Sequence, residues 1–113
     1  MNFIIYKGED PKKYFRGKSI FIIAHTESCG NCVIAKSKVE ILSKSHPFIN
    51  FVFWDTTNFP NLESLVPGFT PIAFPYVRSY LYDKCLRGRY SAETYIIEDM
   101  IEELYKEEKE NYI

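Results

Sequence analysis

An α/β domain with a central mixed sheet of four to five strands flanked by helices is what the sequence predicts, on three observations. Residues 19–25 (SIFIIAH) and 48–54 (FINFVFW) are continuous apolar runs, the pattern of strands buried on both faces of a sheet. A helix-period stretch lies between them, so the two strands pair in parallel through a right-handed crossover. Further on, residues 76–82 (YVRSYLY) alternate, turn at Asp83 and Lys84, and return over residues 85–90 as an antiparallel hairpin.

The remaining elements follow in order. Residues 2–6 (NFIIY) read as a short strand. Asp10 is an N-cap with Pro11 behind it, which predicts a short helix over 11–16. The helix between the two apolar strands extends from residue 33 to about 45, with Val33, Ile34, Val39 and Leu42 as its inward positions, and His46 and Pro47 end it. Residues 55–59 form a loop. Asn61 caps a short helix within 60–66, and residues 67–71 are irregular. Ser91 caps a last helix with acidic residues early in it and a buried stripe of Ile97, Met100 or Ile101, and Leu104. Residues 106–113 read as a solvated, charged end.

Composition sets bounds on function. A chain of 113 residues, 46% apolar and 26% charged, forms one domain, residues 1–113, with a genuine core. Its formal net charge of −1 supplies no basic face for nucleic acid. No apolar run approaches the length of a membrane span. The N-terminus turns polar after six residues, unlike a signal peptide, so a cytoplasmic location is expected. Three cysteines in such a setting argue against a structural disulfide framework.

The chemistry concentrates in Cys29, Gly30, Asn31 and Cys32, at the junction of the first apolar strand and its helix. The first turn of a helix leaves backbone N–H groups open and favours an anion, so a thiolate at Cys29 is stabilised there. Cys32 lies one turn on, on the same face, within the separation that a disulfide tolerates. Such a pair is a redox dithiol, a pair of buried structural thiols, or half a zinc site; only Cys85 with His25 or His46 could complete the last. Cys85 itself reads as an inward side chain of the hairpin, and Trp54 as core packing. Lys36 reads as part of a solvated helix face. His25, ending a buried strand, is either structural or a tuner of Cys29. The rings of Phe59, Phe69, Phe74 and Tyr76 either rim the site or cover the sheet.

The order of elements, together with the Cys-Gly-Asn-Cys junction, resembles the thioredoxin-like family along nearly the whole chain. The Cys-Gly-X-Cys form is closer to the thioredoxin type than to the Cys-Pro-Tyr-Cys of glutaredoxins. The resemblance implies a protein thiol–disulfide oxidoreductase with Cys29 and Cys32 as catalytic residues. It implies a cis-proline opposite the cysteines, at Pro75, and a substrate strand that pairs with the backbone of Phe74 beside Gly30 and Asn31. It calls for no metal or organic cofactor; disulfide-bearing proteins are the implied substrates and a thioredoxin reductase the electron source. Four positions depart from the family pattern. Ser28 replaces the usual Trp, Asn31 the usual Pro, Tyr76 the Thr that commonly follows the cis-proline, and Ile23 the buried Asp that assists the resolving thiol. Such departures also suit a thioredoxin-like adaptor or a redox-sensing module with little turnover.

Overall fold

The computed structural model describes residues 1–111. Among these residues five strands form one sheet: β1 (Phe3–Ile5), β2 (Lys18–Ala24), β3 (Ile49–Asp55), β4 (Tyr76–Leu81) and β5 (Lys84–Arg89), in the spatial order β1-β3-β2-β4-β5. β3 runs parallel to β1 and β2, whereas β4 is antiparallel to both β2 and β5. β2 is therefore central, and all seven of its residues are buried, which is why its sequence is continuously apolar after Lys18 and Ser19.

Alternation along the strands builds two cores. One face carries Ile20, Ile22, Ala24, Phe51, Phe53 and Val77 under helices α1 (Gly30–Ser43) and α2 (Thr94–Asn111). The other carries Phe21, Ile23, Val52, Trp54, Tyr76 and Tyr80, covered by a 3₁₀ turn at Pro11–Tyr14 and by Leu62, Leu65 and Val66. The Asp10 side chain caps the 3₁₀ turn by accepting from the Lys12 amide, as its sequence predicts.

Three expectations are corrected. On α1 the inward face is Cys32, Ala35, Val39 and Ser43, with Leu42 partly buried, whereas Val33 and Ile34 stand outward, more than half exposed. Small side chains take the inward positions because the helix lies close on the sheet. Residues 60–66 form turns, not a helix: the Asn61 side chain accepts only from the Glu63 amide, and the chain then passes Pro67 and Gly68, the latter at φ 70°. Ser91 does not open the last helix: α2 begins at Thr94 with no acidic residue in its first turn, and Ser91 Oγ accepts from the Glu93 amide ahead of it. The charged end is solvated as expected, and it is helical to Asn111; residues 112–113 of that expectation lie outside the described residues.

The reason for the longer helix is a contact across the fold. Lys18, only 9% exposed, donates to both carboxylate oxygens of Glu108 at 2.8 and 2.9 Å, with its ammonium over the Tyr105 ring. Removing the acid leaves a buried ammonium without its carboxylate. Glu108→Ala is therefore expected to destabilise the protein by about 1–3 kcal/mol, more than an exposed ion pair contributes. The urea midpoint of the variant checks this, with Glu110→Ala as the surface control.

Candidate active site

The end of β2 and the start of α1 are joined by a short loop that is tied down from both sides. The Ser28 amide donates to the His25 carbonyl at 3.1 Å, closing a turn. Across it, the Asp55 carboxylate at the end of β3 accepts from the Thr26 amide and hydroxyl and from the Thr57 amide. Burial alone would push the Asp55 carboxyl up. The Thr26 and Thr57 hydrogen bonds outweigh it and hold the group below its ordinary value. A depressed carboxyl contributes stability that is present above its unfolded value, roughly pH 4, and is lost as pH falls through the lower folded value. The stability gap between wild type and Asp55→Asn, read by urea titration, is thus expected to be widest near neutral pH and to close in strong acid.

This loop delivers Cys29 to the helix head as the N-cap, in extended conformation (φ −127°, ψ 98°), where its sulfur accepts from the Cys32 amide at 3.1 Å. Cys29 and Cys32 are joined in a disulfide, with their Cα atoms 5.3 Å apart. The two sulfurs differ in access. Cys29 is half-buried, whereas Cys32 is fully buried in the cluster that holds Ala24, Ala35 and Val77. A reagent approaching from solvent meets Cys29 first.

Opposite the sulfurs, the Phe74–Pro75 peptide bond is cis, and the Phe74 carbonyl lies 3.6 Å from the Cys29 sulfur. Pro75 is buried, while Gly30 and Asn31 are exposed on the helix head. A groove of about 350 Å³ runs away from the disulfide, with Asn31, Ile34, Phe74, Pro75 and Tyr90 along its walls and Lys38 facing Glu93 at 3.6 Å. Ile34 and Tyr90 on its walls are exposed, and Ile72, whose amide donates to the Tyr90 hydroxyl at 3.4 Å, stands 89% exposed on the loop before Pro75.

The predicted residues Cys29, Gly30, Asn31, Cys32, Phe74 and Pro75 thus come together at one end of the central strands. Phe59 and Tyr76 do not join them. Phe59 sits edge-on to Tyr6 in the second core, and Tyr76 is buried beneath Phe69 and Tyr90. Ile23 is fully buried in that second core, so this strand places no carboxyl below the sulfurs. Cys85 packs partly buried against the second core, and among the described residues no three His, Cys, Asp or Glu side chains gather as metal ligands. The sequence reading missed the Asp55–Thr57 anchor, although an Asp followed by two threonines after a buried strand is an Asx-turn signal.

No protein-family model matches the chain, and no curated protein matches it in sequence. Solved structures match it over most of its length. Thioredoxin O1 of Arabidopsis thaliana, in its oxidised state, superposes with a TM-score of 0.72 at 18% identity, over 93% of this chain and 99% of that one. Thioredoxin NaTrxh of Nicotiana alata gives 0.75 at 15%, over 91% and 92%. The oxidised mitochondrial thioredoxin 3 of Saccharomyces cerevisiae gives 0.65 at 19%, over 78% and 79%. The chain has the thioredoxin fold, with a Cys29–Cys32 disulfide at the junction of its central strand and first helix.

Proposed function

We propose that this protein is a thiol–disulfide oxidoreductase that exchanges electrons with protein disulfides through Cys29 and Cys32. The observation that carries the reading is the asymmetric, bonded pair: a half-exposed sulfur at a helix N-terminus faces Pro75, and its partner sulfur is buried behind it. The reduced Cys29 thiolate attacks a substrate sulfur and releases the other substrate sulfur as a thiol, forming a mixed disulfide. Cys32 then attacks the Cys29 sulfur, closing the internal disulfide and freeing the second substrate thiol. The substrate gains two electrons and two protons, and the dithiol loses them.

The substrate segment lies along the Phe74 backbone and Pro75, over Gly30 and Asn31, with apolar contact from Ile34 and Ile72. The reading includes a cytoplasmic setting, where thiols are kept reduced, and a reductase of the thioredoxin type to recharge the dithiol. The test is reduction of insulin disulfides by dithiothreitol with and without the protein. Catalytic acceleration is expected, and none above the reagent alone overturns the reading.

A second reading, an adaptor or oxidation sensor, is favoured by one observation: buried Ile23 leaves Cys32 without an acid from its own central strand. Alkylation of the reduced protein at pH 6 separates the two, because a catalyst's Cys29 reacts fast there and a sensor's slowly.

A further inference from the structure

The proposed oxidoreductase step rests on a Cys29 thiolate, yet the carboxylates described around this end of the fold are placed elsewhere: Asp55 is taken up by Thr26 and Thr57, Glu93 faces Lys38 in the groove, and Glu27 is exposed on the loop. One titratable side chain at the site has no part in that scheme, and it is held in a defined orientation. His25 Nδ1 lies 2.9 Å from Thr56 Oγ1. Thr56 is buried, and its single hydroxyl proton is committed to the Ala24 carbonyl at 2.7 Å. Thr56 Oγ1 can therefore only accept from His25, so Nδ1 is the donor of that bond and Nε2 lies on the other edge of the ring. The imidazole lies against the Phe74 ring, with centroids 5.7 Å apart and planes 29° apart. The carbonyl of the same Phe74 is the one beside the Cys29 sulfur. His25 also opens the turn that leads to Cys29.

We propose that His25 is a positioning residue for this redox couple: clamped by Thr56 and Phe74, its protonated imidazole stabilises the Cys29 thiolate of the reduced protein. A dithiol donor reduces the Cys29–Cys32 bond with two electrons and two protons and itself becomes a disulfide. The Cys29 thiol then releases its proton to solvent, and the sulfur keeps a charge that the imidazolium offsets. The loop that His25 opens carries Glu27, exposed, and leads to Cys29, while Asp55 at the end of β3 is held by Thr26 and Thr57, and Lys38 pairs with Glu93 across the adjoining groove.

The test uses a Cys32→Ser, Cys85→Ser background, in which Cys29 is the remaining thiol. Its alkylation rate by iodoacetamide is followed from pH 5 to 9, with and without His25→Phe. Loss of the imidazolium is expected to slow alkylation at pH 6 by roughly threefold, because the about tenfold loss of thiolate that one pKa unit brings is offset about threefold by the greater nucleophilicity of the more basic sulfur. In the intact dithiol the same substitution is expected to make the reduction potential more negative. Superimposable pH profiles overturn the proposal. Should His25→Phe fold poorly, Thr56→Val removes the acceptor that aims the ring, while the Ala24 carbonyl still accepts from the residue 56 amide; it must slow alkylation in the same direction, and an unchanged profile again overturns the role. Insulin reduction by the wild type is scored separately. Failure there rejects the oxidoreductase reading, while matching profiles with active wild type reject only His25.

Discussion

Replacing Cys29 by Ser is expected to bring insulin-type turnover down to the dithiothreitol baseline, a loss of at least about 10³-fold, because a serine hydroxyl cannot carry the thiolate's charge near neutral pH. Replacing Cys32 by Ser should behave differently. Cys29 remains half-exposed at the helix head and still attacks, but the second sulfur, Cys32 in its buried pocket, is gone. One covalent substrate adduct per chain should accumulate and disappear with reductant, which a non-reducing gel and intact mass will show. The size of the helix effect explains why the pair matters more than the lone thiol. Lowering a thiol pKa from about 8.5 to about 7 raises the thiolate fraction from roughly 3% to roughly half. The accompanying fall in nucleophilicity leaves a net gain of only about threefold. The partner sulfur acts through proximity, which is worth far more. Full turnover in either serine variant rejects the division of labour between the two sulfurs.

What the sequence made legible here is what depends on local pattern. β2 and β3 are continuous apolar runs because both sheet faces are covered, and Cys29–Cys32 announces a strand-to-helix junction by spacing alone. Pro75 was placed by resemblance, and the cis bond falls there. The failures share a cause, namely that packing chooses by shape and by distant partners. Val33 and Ile34 are the most apolar residues at the head of α1, yet they point outward because Cys32 and Ala35 fit the narrow space over the sheet. Lys106 to Asn111 are solvated, as their charge predicts, but the pairing of Glu108 with Lys18, ninety residues away, is not visible in the local pattern. Asn61 reads as the cap of a short helix within 60–66, whereas Leu62, Leu65 and Val66 reach the second core from a series of turns.

The largest stability effect is expected at Trp54, the one tryptophan of the chain, because three contributions meet in it. Its side chain is only 1% exposed, so truncation to Ala removes the biggest buried group of the second core. Its ring stacks on Tyr6 with centroids 3.7 Å apart and planes 9° apart, joining β3 to the end of β1. Its Nε1 donates to the Phe59 carbonyl at 2.8 Å, which holds the loop after β3 against the sheet. Trp54→Ala should cost about 3–5 kcal/mol, a large share of the ~5–15 kcal/mol that keeps a domain folded. Trp54→Phe keeps most of the volume and the stacking surface but removes the indole N–H, so a smaller loss of about 1–2 kcal/mol is expected. Circular dichroism during urea unfolding gives both values without relying on indole fluorescence. The Phe59 hydrogen bond lies one residue from Asp55 and two from Thr56, the groups that hold Thr26 and His25. Loosening that corner should therefore reach the sulfurs: Trp54→Phe should change the Cys29 alkylation rate although it touches neither cysteine. A stable Trp54→Ala protein, with a urea midpoint equal to wild type, would show that the second core does not carry the fold.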